Sequence, residues 1–396
     1  MSASETILVI NGGSSSIKFS VYSKDDPASP ILSGKLERIG SGPAGFQWRS
    51  PRSPKPTNEN VDAPDHKAGA RFLIDWIERR PEAVKIAAVG HRVVHGGPKY
   101  SMPQRVTPDL IAELERIGRF DPEHSPGQLQ LISIFQERLP GIPQITCFDT
   151  AFHQTMPRVA KILPLPRKYD AKGVRRYGFH GLSFTFLVEE LERLAGPAPA
   201  RGRVILAHLG NGASLAAVRD GKSVDTSMGF TPTAGIPMSS RTGDMDPGVF
   251  SYLCMSEGVT PEKFGHIVNA ESGLLGISET SSDMRDLLAR EAEDVRAAEA
   301  IDVFCYQTRK WIGAFAAVLG GVETLVFAGG IGENVPVVRE RICAGLEFLG
   351  ITVDPRENAA NAAVISPKAD GGATVRVIPT NEELVIAKAV WRLLSQ

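Results

Sequence analysis

The sequence predicts an α/β protein in which one domain plan is used twice. Three observations carry this reading. Residues 6–22 (TILVINGGSSSIKFSVY) run from a β-branched stretch through a small polar turn into a second alternating stretch. Residues 204–218 (VILAHLGNGASLAAV) repeat that strand–turn–strand plan. Residues 324–334 (TLVFAGGIGEN) lead a strand into a glycine turn and then a helix. Strand pairs that lead into alternating strands and helices imply a mixed sheet flanked by helices, once in each half.

The elements follow in order. Residues 41–66 are rich in Pro, Ser and Asn and read as a loop or an irregular hairpin insertion. ARFLIDWIERR is helical, with Phe72, Leu73, Trp76 and Ile77 on one face. IAAVG at 86–90 is a buried strand, followed by HRVVHGG as a loop. Residues 108–117 form a short helix whose first turn suits Pro108, residues 126–138 form another, and QITCFDT at 144–150 is a buried strand. A long helix over 294–319 stops at Gly320 and Gly321. The last helix, 382–394, starts after Thr380 and Asn381.

Composition narrows the function. A chain of 396 residues fits about two domains. The net charge of −1 supplies no global field toward nucleic acid or anionic lipid, so an anionic substrate needs a local basic site. No stretch reaches the ~18 apolar residues of a membrane span, and the N-terminus leads almost directly into a strand without a basic segment before an apolar run. Cys147, Cys254, Cys305 and Cys343 form no C-x-x-C pair and read as reduced thiols, which fits the cytoplasm.

Glycine and serine turns let backbone approach a ligand and aim N–H groups and hydroxyls at phosphate oxygens. The P-loop and dinucleotide spacings are both absent. The turn Asn11-Gly12-Gly13-Ser14-Ser15-Ser16, with Lys18 beyond it, reads as a phosphate or metal-water site or as an ordinary hairpin turn; its match with HLGNGAS favours the first. Two such turns suggest one nucleotide held between two halves. Arg92, between glycines after a buried strand, and Arg241, in MSSRTGDMDPG, can each grip a carboxylate or phosphate in bidentate fashion; pairing with a nearby acid is the plainer alternative. Asp149 ends a buried strand where ligands of α/β sheets gather, or caps a turn. His180, in RRYGFHG, is structural or catalytic. The other histidines show no zinc spacing, and no G-x-S-x-G supports a hydrolase. Capping alone explains Asp283, and the helix dipole alone explains Glu382 and Glu383.

The ordered set NGGSSSIK, GHRVVHGG, FDTAFHQTMP, RRYGFHG, HLGNGAS, SSRTGDMDPG, SSDMRD, GGIGEN and TNEELVIA closely resembles the acetate kinases of the acetate and propionate kinase family, from residue 6 to about 390. The resemblance implies the fold of sugar kinases, actin and heat-shock chaperones. That is two duplicated ribonuclease-H-like domains around a central cleft, 1–150 with 383–396 and 151–382, the second binding nucleotide. It implies reversible, in-line phosphorylation of acetate by ATP, with propionate or another short-chain carboxylate as the alternative. It also implies a homodimer that acts on a carboxylate and ATP, with no nucleic acid or membrane partner. Carried over motif by motif, Asn11 and Glu382 hold Mg²⁺, for which Mn²⁺ substitutes. Lys18 and the Ser14–Ser16 hydroxyls line the phosphate path. Arg92, Arg241, His180 and Asp149 are catalytic. Arg92, Val94, Phe179 and Pro232 receive the acid. His208, Leu209, Gly210, Asn211 and Gly212 hold phosphates. Asp283, Met284 and Arg285, with Gly330, Ile331, Gly332, Glu333 and Asn334, hold adenosine.

Three positions depart from the family pattern. Glu123 stands where a Leu lines the methyl pocket, Phe184 replaces a second His in FHGLSF, and MSSR replaces an MGTR-like lead-in. A carboxylate buried beside an anionic substrate is costly, so either Glu123 turns toward solvent or the pocket takes a polar or longer acid. A butyrate or branched-chain kinase is a further reading. The adenosine motifs argue against pyrophosphate as donor, and the intact catalytic set argues against a non-catalytic scaffold.

Overall fold

The computed structural model describes residues 5–13, 15–40, 42–51, 53–80, 85–367 and 371–396. Ser14, one of the three turn serines, lies outside the described residues. The chain divides into two units. One runs through Ala151 and resumes at Asn381–Gln396, and the other spans Phe152–Thr380.

The first unit is built on β1 (Thr6–Gly12), β2 (Ser16–Ser23), β3 (Pro30–Glu37), β4 (Ala44–Ser50), β5 (Ser53–Val61), β6 (Ile86–Val93), β7 (Gln104–Arg105) and β8 (Gln144–Phe148). They form one sheet in the order β5-β4-β3-β2-β1-β6-β8-β7. β1, β2 and β3 pair antiparallel, then β6 joins β1 and β8 joins β6 in parallel. Helices His66–Glu78, Pro108–Ile117 and Ser125–Arg138 belong to this unit, as does the last helix, Glu382–Leu394. Three start on side-chain caps: Asp65 accepts from Ala68 N, Thr107 from Leu110 N, and Asn381 from Leu384 N. The last helix lies so close to the sheet that a Cβ at Gly90 would sit 2.5 Å from Ile386.

The second unit repeats the plan. Its strands are β9 (Val204–Leu209), β10 (Ala213–Arg219), β11 (Lys222–Thr226), β12 (Thr324–Ala328) and β13 (Thr374–Val377), in the order β11-β10-β9-β12-β13. Three antiparallel strands are again followed by two parallel ones. The long helix Val295–Leu319 begins on the Asp294 cap and ends at Gly320, whose φ of 72° is the left-handed conformation of a glycine stop.

Two local expectations change and one open alternative is decided. The strand read as 86–90 runs on through Arg92 to Val93, because β1 and β8 pair with it on either side. HRVV is therefore mostly strand, and only the glycines that follow turn. Within 41–66, β4 and β5 pair antiparallel and extend the sheet edge, which is the hairpin of the two alternatives read for this stretch. Finally, the buried face of helix His66–Glu78 is Gly69, Ala70, Leu73, Ile74 and Ile77. Phe72 and Trp76 lie at its margin, where Phe46 of β4 packs edge-on against both rings at 5.1 and 4.9 Å.

Candidate active site

In the first unit, strand register assembles the site. Asn11 and Lys18 face each other across β1 and β2, so their side chains share one face of the sheet. On the other side of β1, the register continues from Ile10–His91 to bring Arg92 level with Asn11. Asp149 follows β8, its N–H bonded to Val93 O at 3.0 Å. Its carboxylate is fully buried and takes the Arg92 fork: Nε donates to Oδ1 at 3.2 Å and Oδ2 at 3.1 Å, and Nη2 to Oδ2 at 2.5 Å. Arg92 Nη1 donates to Asn11 Oδ1 at 3.1 Å. Asn11 Nδ2 donates to Glu382 Oε2 at 3.1 Å and Glu383 Oε1 at 3.2 Å. Burial opposes the charge on Arg92, but Asp149, Glu382 and Glu383 outweigh it and raise the guanidinium above its ordinary range.

This cluster sets one guanidinium against three carboxylates. Its oxygen donors and negative excess suit a hard divalent cation. Among the described residues no group of three or more His, Cys, Asp or Glu converges as a metal cage, so a cation here would depend on water and phosphate for the rest of its shell. Lys18 is exposed on β2. Val94 is buried, and its N–H donates to Gln128 Oε1 at 3.0 Å. Glu123 is exposed, at the rim of a cavity of about 150 Å³ lined also by Gly12, Gly13, His66 and His124. The carboxylate is thus solvated, which is the first of the two alternatives for this position.

In the second unit, His180 stands at the start of helix Gly181–Ala195 with φ 57°, a left-handed conformation that costs a non-glycine residue energy and recurs at functional positions. Its Nδ1 and Ser214 Oγ share a hydrogen bond of 2.9 Å, and its ring stacks on His208 at 4.4 Å. Ser214 lies directly across from His208 in the β9–β10 register, so one pair of facing residues holds the ring. His153, fully buried, fixes the approach to His180: its Nδ1 meets Ser223 Oγ and its Nε2 meets Phe179 O, each at 2.9 Å. The turn after β9 brings Gly212 against this group. A Cβ there would lie 3.1 Å from His180 Nε2 and 3.7 Å from Arg241 Nη1. Arg241 Nη1 donates to Pro232 O at 3.3 Å. Phe179 and Pro232 are buried beside the two basic side chains in sequence and in space.

The expected nucleotide residues separate into backbone and side-chain roles. Leu209, Ile331 and Met284 are buried, so only backbone or packing is theirs to give. Asn211, Gly330 and Asn334 are exposed. Glu333 Oε1 accepts from Gly329 N at 2.8 Å and Thr380 N at 3.1 Å. Asp283 caps its helix through Arg285 N at 2.8 Å and pairs with the Arg285 guanidinium at 2.6 Å. Sequence reasoning gave Glu383 only a helix-dipole role and His153 none beyond excluding zinc, and it passed over Ser214 and Arg339. Ser214 carried a signal in the HLGNGAS repeat, whereas Glu383 and Arg339 sit in charged stretches that read as ordinary helix surface.

A five-strand core of the same order in both sheets, with polar and basic side chains at a strand-end turn in each, is the plan of the actin-like fold. A family model described as "Acetokinase family" matches residues 6–388. An acetate kinase of Rhodopseudomonas palustris is 43% identical over 395 residues, covering 98% of both chains. A propionate kinase of Citrobacter rodentium is 42% identical over 397 residues, covering 98% of this chain and 97% of its own. Among solved structures, Porphyromonas gingivalis acetate kinase matches with a TM-score of 0.87 at 36% identity, over 98% of this chain and 100% of that one. A propionate kinase from Francisella tularensis matches at 0.90 and 34% identity, over 97% and 98%. The chain belongs to the acetokinase family. It is an enzyme, a kinase with ATP as co-substrate. Among the described residues no helix is long and apolar enough to cross a membrane.

Proposed function

We propose that this chain transfers the γ-phosphoryl group of ATP to acetate, reversibly and in line, with propionate as the second acid. The observation that carries the proposal is the convergence of His180 Nε2 and Arg241 Nη1 on Gly212, a turn where a Cβ would crowd the histidine ring. Two donors beside bare backbone form a cradle for an oxyanion. A transferring phosphoryl group spreads its charge over three equatorial oxygens, so positioned positive charge does most of the catalytic work.

Arg92 supplies a further guanidinium, set by Asp149. A carboxylate that holds a guanidinium in place acts as an orienter, and no general base is needed: acetate, with a pKa close to the value of about 4.3 for Glu, is already ionised at neutral pH. Val94, Phe179 and Pro232 offer apolar surface to the methyl group. Asn11 and Glu382, through water, are the residues that would hold Mg²⁺, with Mn²⁺ as a substitute; when bound, the cation neutralises charge on the ATP phosphates. Lys18 serves the phosphate path. His208–Gly212 serve the phosphates, and Asp283–Arg285 with Gly330–Asn334 serve adenosine.

The working form proposed is a cytoplasmic homodimer. All four cysteines are free thiols, which suits a reducing compartment. Helices Gly248–Glu257 and Pro261–Ala270 bury none of their residues, and Tyr252 and Met255 are 64% and 82% exposed, which supports a second copy covering them. Light scattering during gel filtration tests the dimer. Hydroxamate trapping of acyl phosphate, with ATP and each straight-chain acid from acetate to valerate, tests the reaction: acetate and propionate give product, and failure of both defeats the proposal.

A further inference from the structure

We propose that Arg339 is the positioning residue of the nucleotide site: its buried guanidinium braces the segment Gly329–Asn334 and thereby sets affinity for the adenosine part of the co-substrate. The proposal rests on the assignment of Gly330–Asn334 to adenosine.

Arg339 lies on helix Pro336–Cys343 and is fully buried. Nη1 donates to Gly332 O at 2.8 Å and Glu333 O at 3.1 Å. Nε donates to Asn358 Oδ1 at 2.8 Å, and Nη2 to Asn358 O at 2.8 Å and Asn361 Oδ1 at 2.6 Å. Every one of these acceptors is a neutral carbonyl or amide oxygen, and among the described residues no carboxylate is ion-paired with it. Burial accordingly works against its charge. A buried cation without a counterion is a poor device for stability. A planar fork of five N–H groups is a good device for fixing the positions of several oxygens at once. The oxygens it fixes include the last carbonyls of Gly329–Asn334, which a helix leaves without internal partners. Glu333 ties the other end of the same segment through Gly329 N and Thr380 N. The result is a short glycine segment held from within, with Gly330 and Asn334 left on the surface.

Two variants test this. Arg339→Lys keeps the charge and loses the fork. Asn361→Gly deletes one acceptor while tolerating the left-handed φ of 49° at that position. The readouts are KM for ATP and for acetate, kcat, calorimetric Kd for ADP and for adenosine, and hydrogen exchange at amides 329–334. For Arg339→Lys, KM for ATP and both Kd values rise about tenfold, as expected from losing one to two hydrogen bonds. KM for acetate and kcat at saturating ATP stay within about twofold, and exchange at 329–334 quickens without any nucleotide. Asn361→Gly moves the same quantities by roughly two- to threefold, and it decides the matter if Arg339→Lys does not fold. Unchanged ADP affinity in the folded variants overturns the proposal. So does a parallel rise of both KM values, or weaker ADP binding with adenosine binding intact, which would mark a charge effect. Protection of amides 329–334 by ADP in the unaltered enzyme separately tests the adenosine assignment on which the brace depends.

Discussion

At the scale of single residues, Arg92 and Arg241 differ in what surrounds them, and the difference is measurable. Each should cost on the order of 10²-fold in turnover as the alanine variant, the scale of one lost preorganised donor. Lys should rescue either one poorly, since a fork is needed. Stability should separate them. Arg92→Ala leaves the fully buried Asp149 carboxylate without its guanidinium, a loss of roughly 3–5 kcal/mol for a broken buried pair. Arg241 is half-buried and donates to a carbonyl, so its alanine variant should unfold at a temperature much closer to the unaltered enzyme. Steady-state kinetics with thermal unfolding checks both, and near-normal turnover in either variant would remove that arginine from the site. Glu123 is solvated, and its charge is screened over about 8 Å at physiological salt. Glu123→Leu should therefore lower KM for acetate by no more than about threefold, and loss of activity on every acid would place Glu123 in the catalytic machinery. Arg92, Asp149 and Asn11 were legible in the sequence because glycines and strand ends flank them. Arg339 was not, because burial of a cation by neutral oxygens leaves no pattern in the chain.

At the scale of elements, the turn between β9 and β10 positions His180 and Arg241 by what it lacks. Gly212→Ala puts a methyl group 3.1 Å from His180 Nε2, which is tighter than ordinary contact, so the ring or the turn must yield by a few tenths of an ångström. Because small misplacements in a catalytic constellation are amplified in rate, turnover should fall about tenfold while circular dichroism stays unchanged. Wild-type kinetics in this variant would show that the turn does not set the geometry. Periodicity gave away β1, β2, β9 and β10, since alternating or continuous apolar runs have few other uses. It stopped short at one place and left a choice open at another, for identifiable reasons. β6 continues through the polar pair His91–Arg92 because hydrogen bonding on both sides overrides composition. The β4–β5 hairpin is rich in Pro, Ser and Asn because it forms the sheet edge, where charged residues and proline discourage pairing with other chains.

At the scale of the whole molecule, the same strand order in both units is what the duplicated turns foretold, although neither turn alone distinguished a phosphate site from a hairpin. Each unit also holds a buried histidine whose charged form burial disfavours, and this gives the enzyme an acid limit. Burial pushes His91 in the first unit and His153 in the second down from 6.5 to about 4. The unfolded chain takes up these protons near 6.5 and the native one does not. Their contribution is therefore full above about pH 6.5 and falls away as pH drops toward 4. At pH 5 each should cost roughly 2 kcal/mol of stability relative to pH 7. In His153→Gln the loss between these pH values should shrink by about that amount, whatever the variant's stability at pH 7, and an unchanged pH dependence would mean that His153 is not buried neutral. The reaction itself is tested most directly by following ADP and acyl phosphate together, with ATP and Mg²⁺, in the presence and absence of acetate. The expected result is equal amounts of ADP and acetyl phosphate, with no ADP formed without an acid. ADP formed without acetate, or with it but without acetyl phosphate, would contradict direct phosphoryl transfer to the carboxylate.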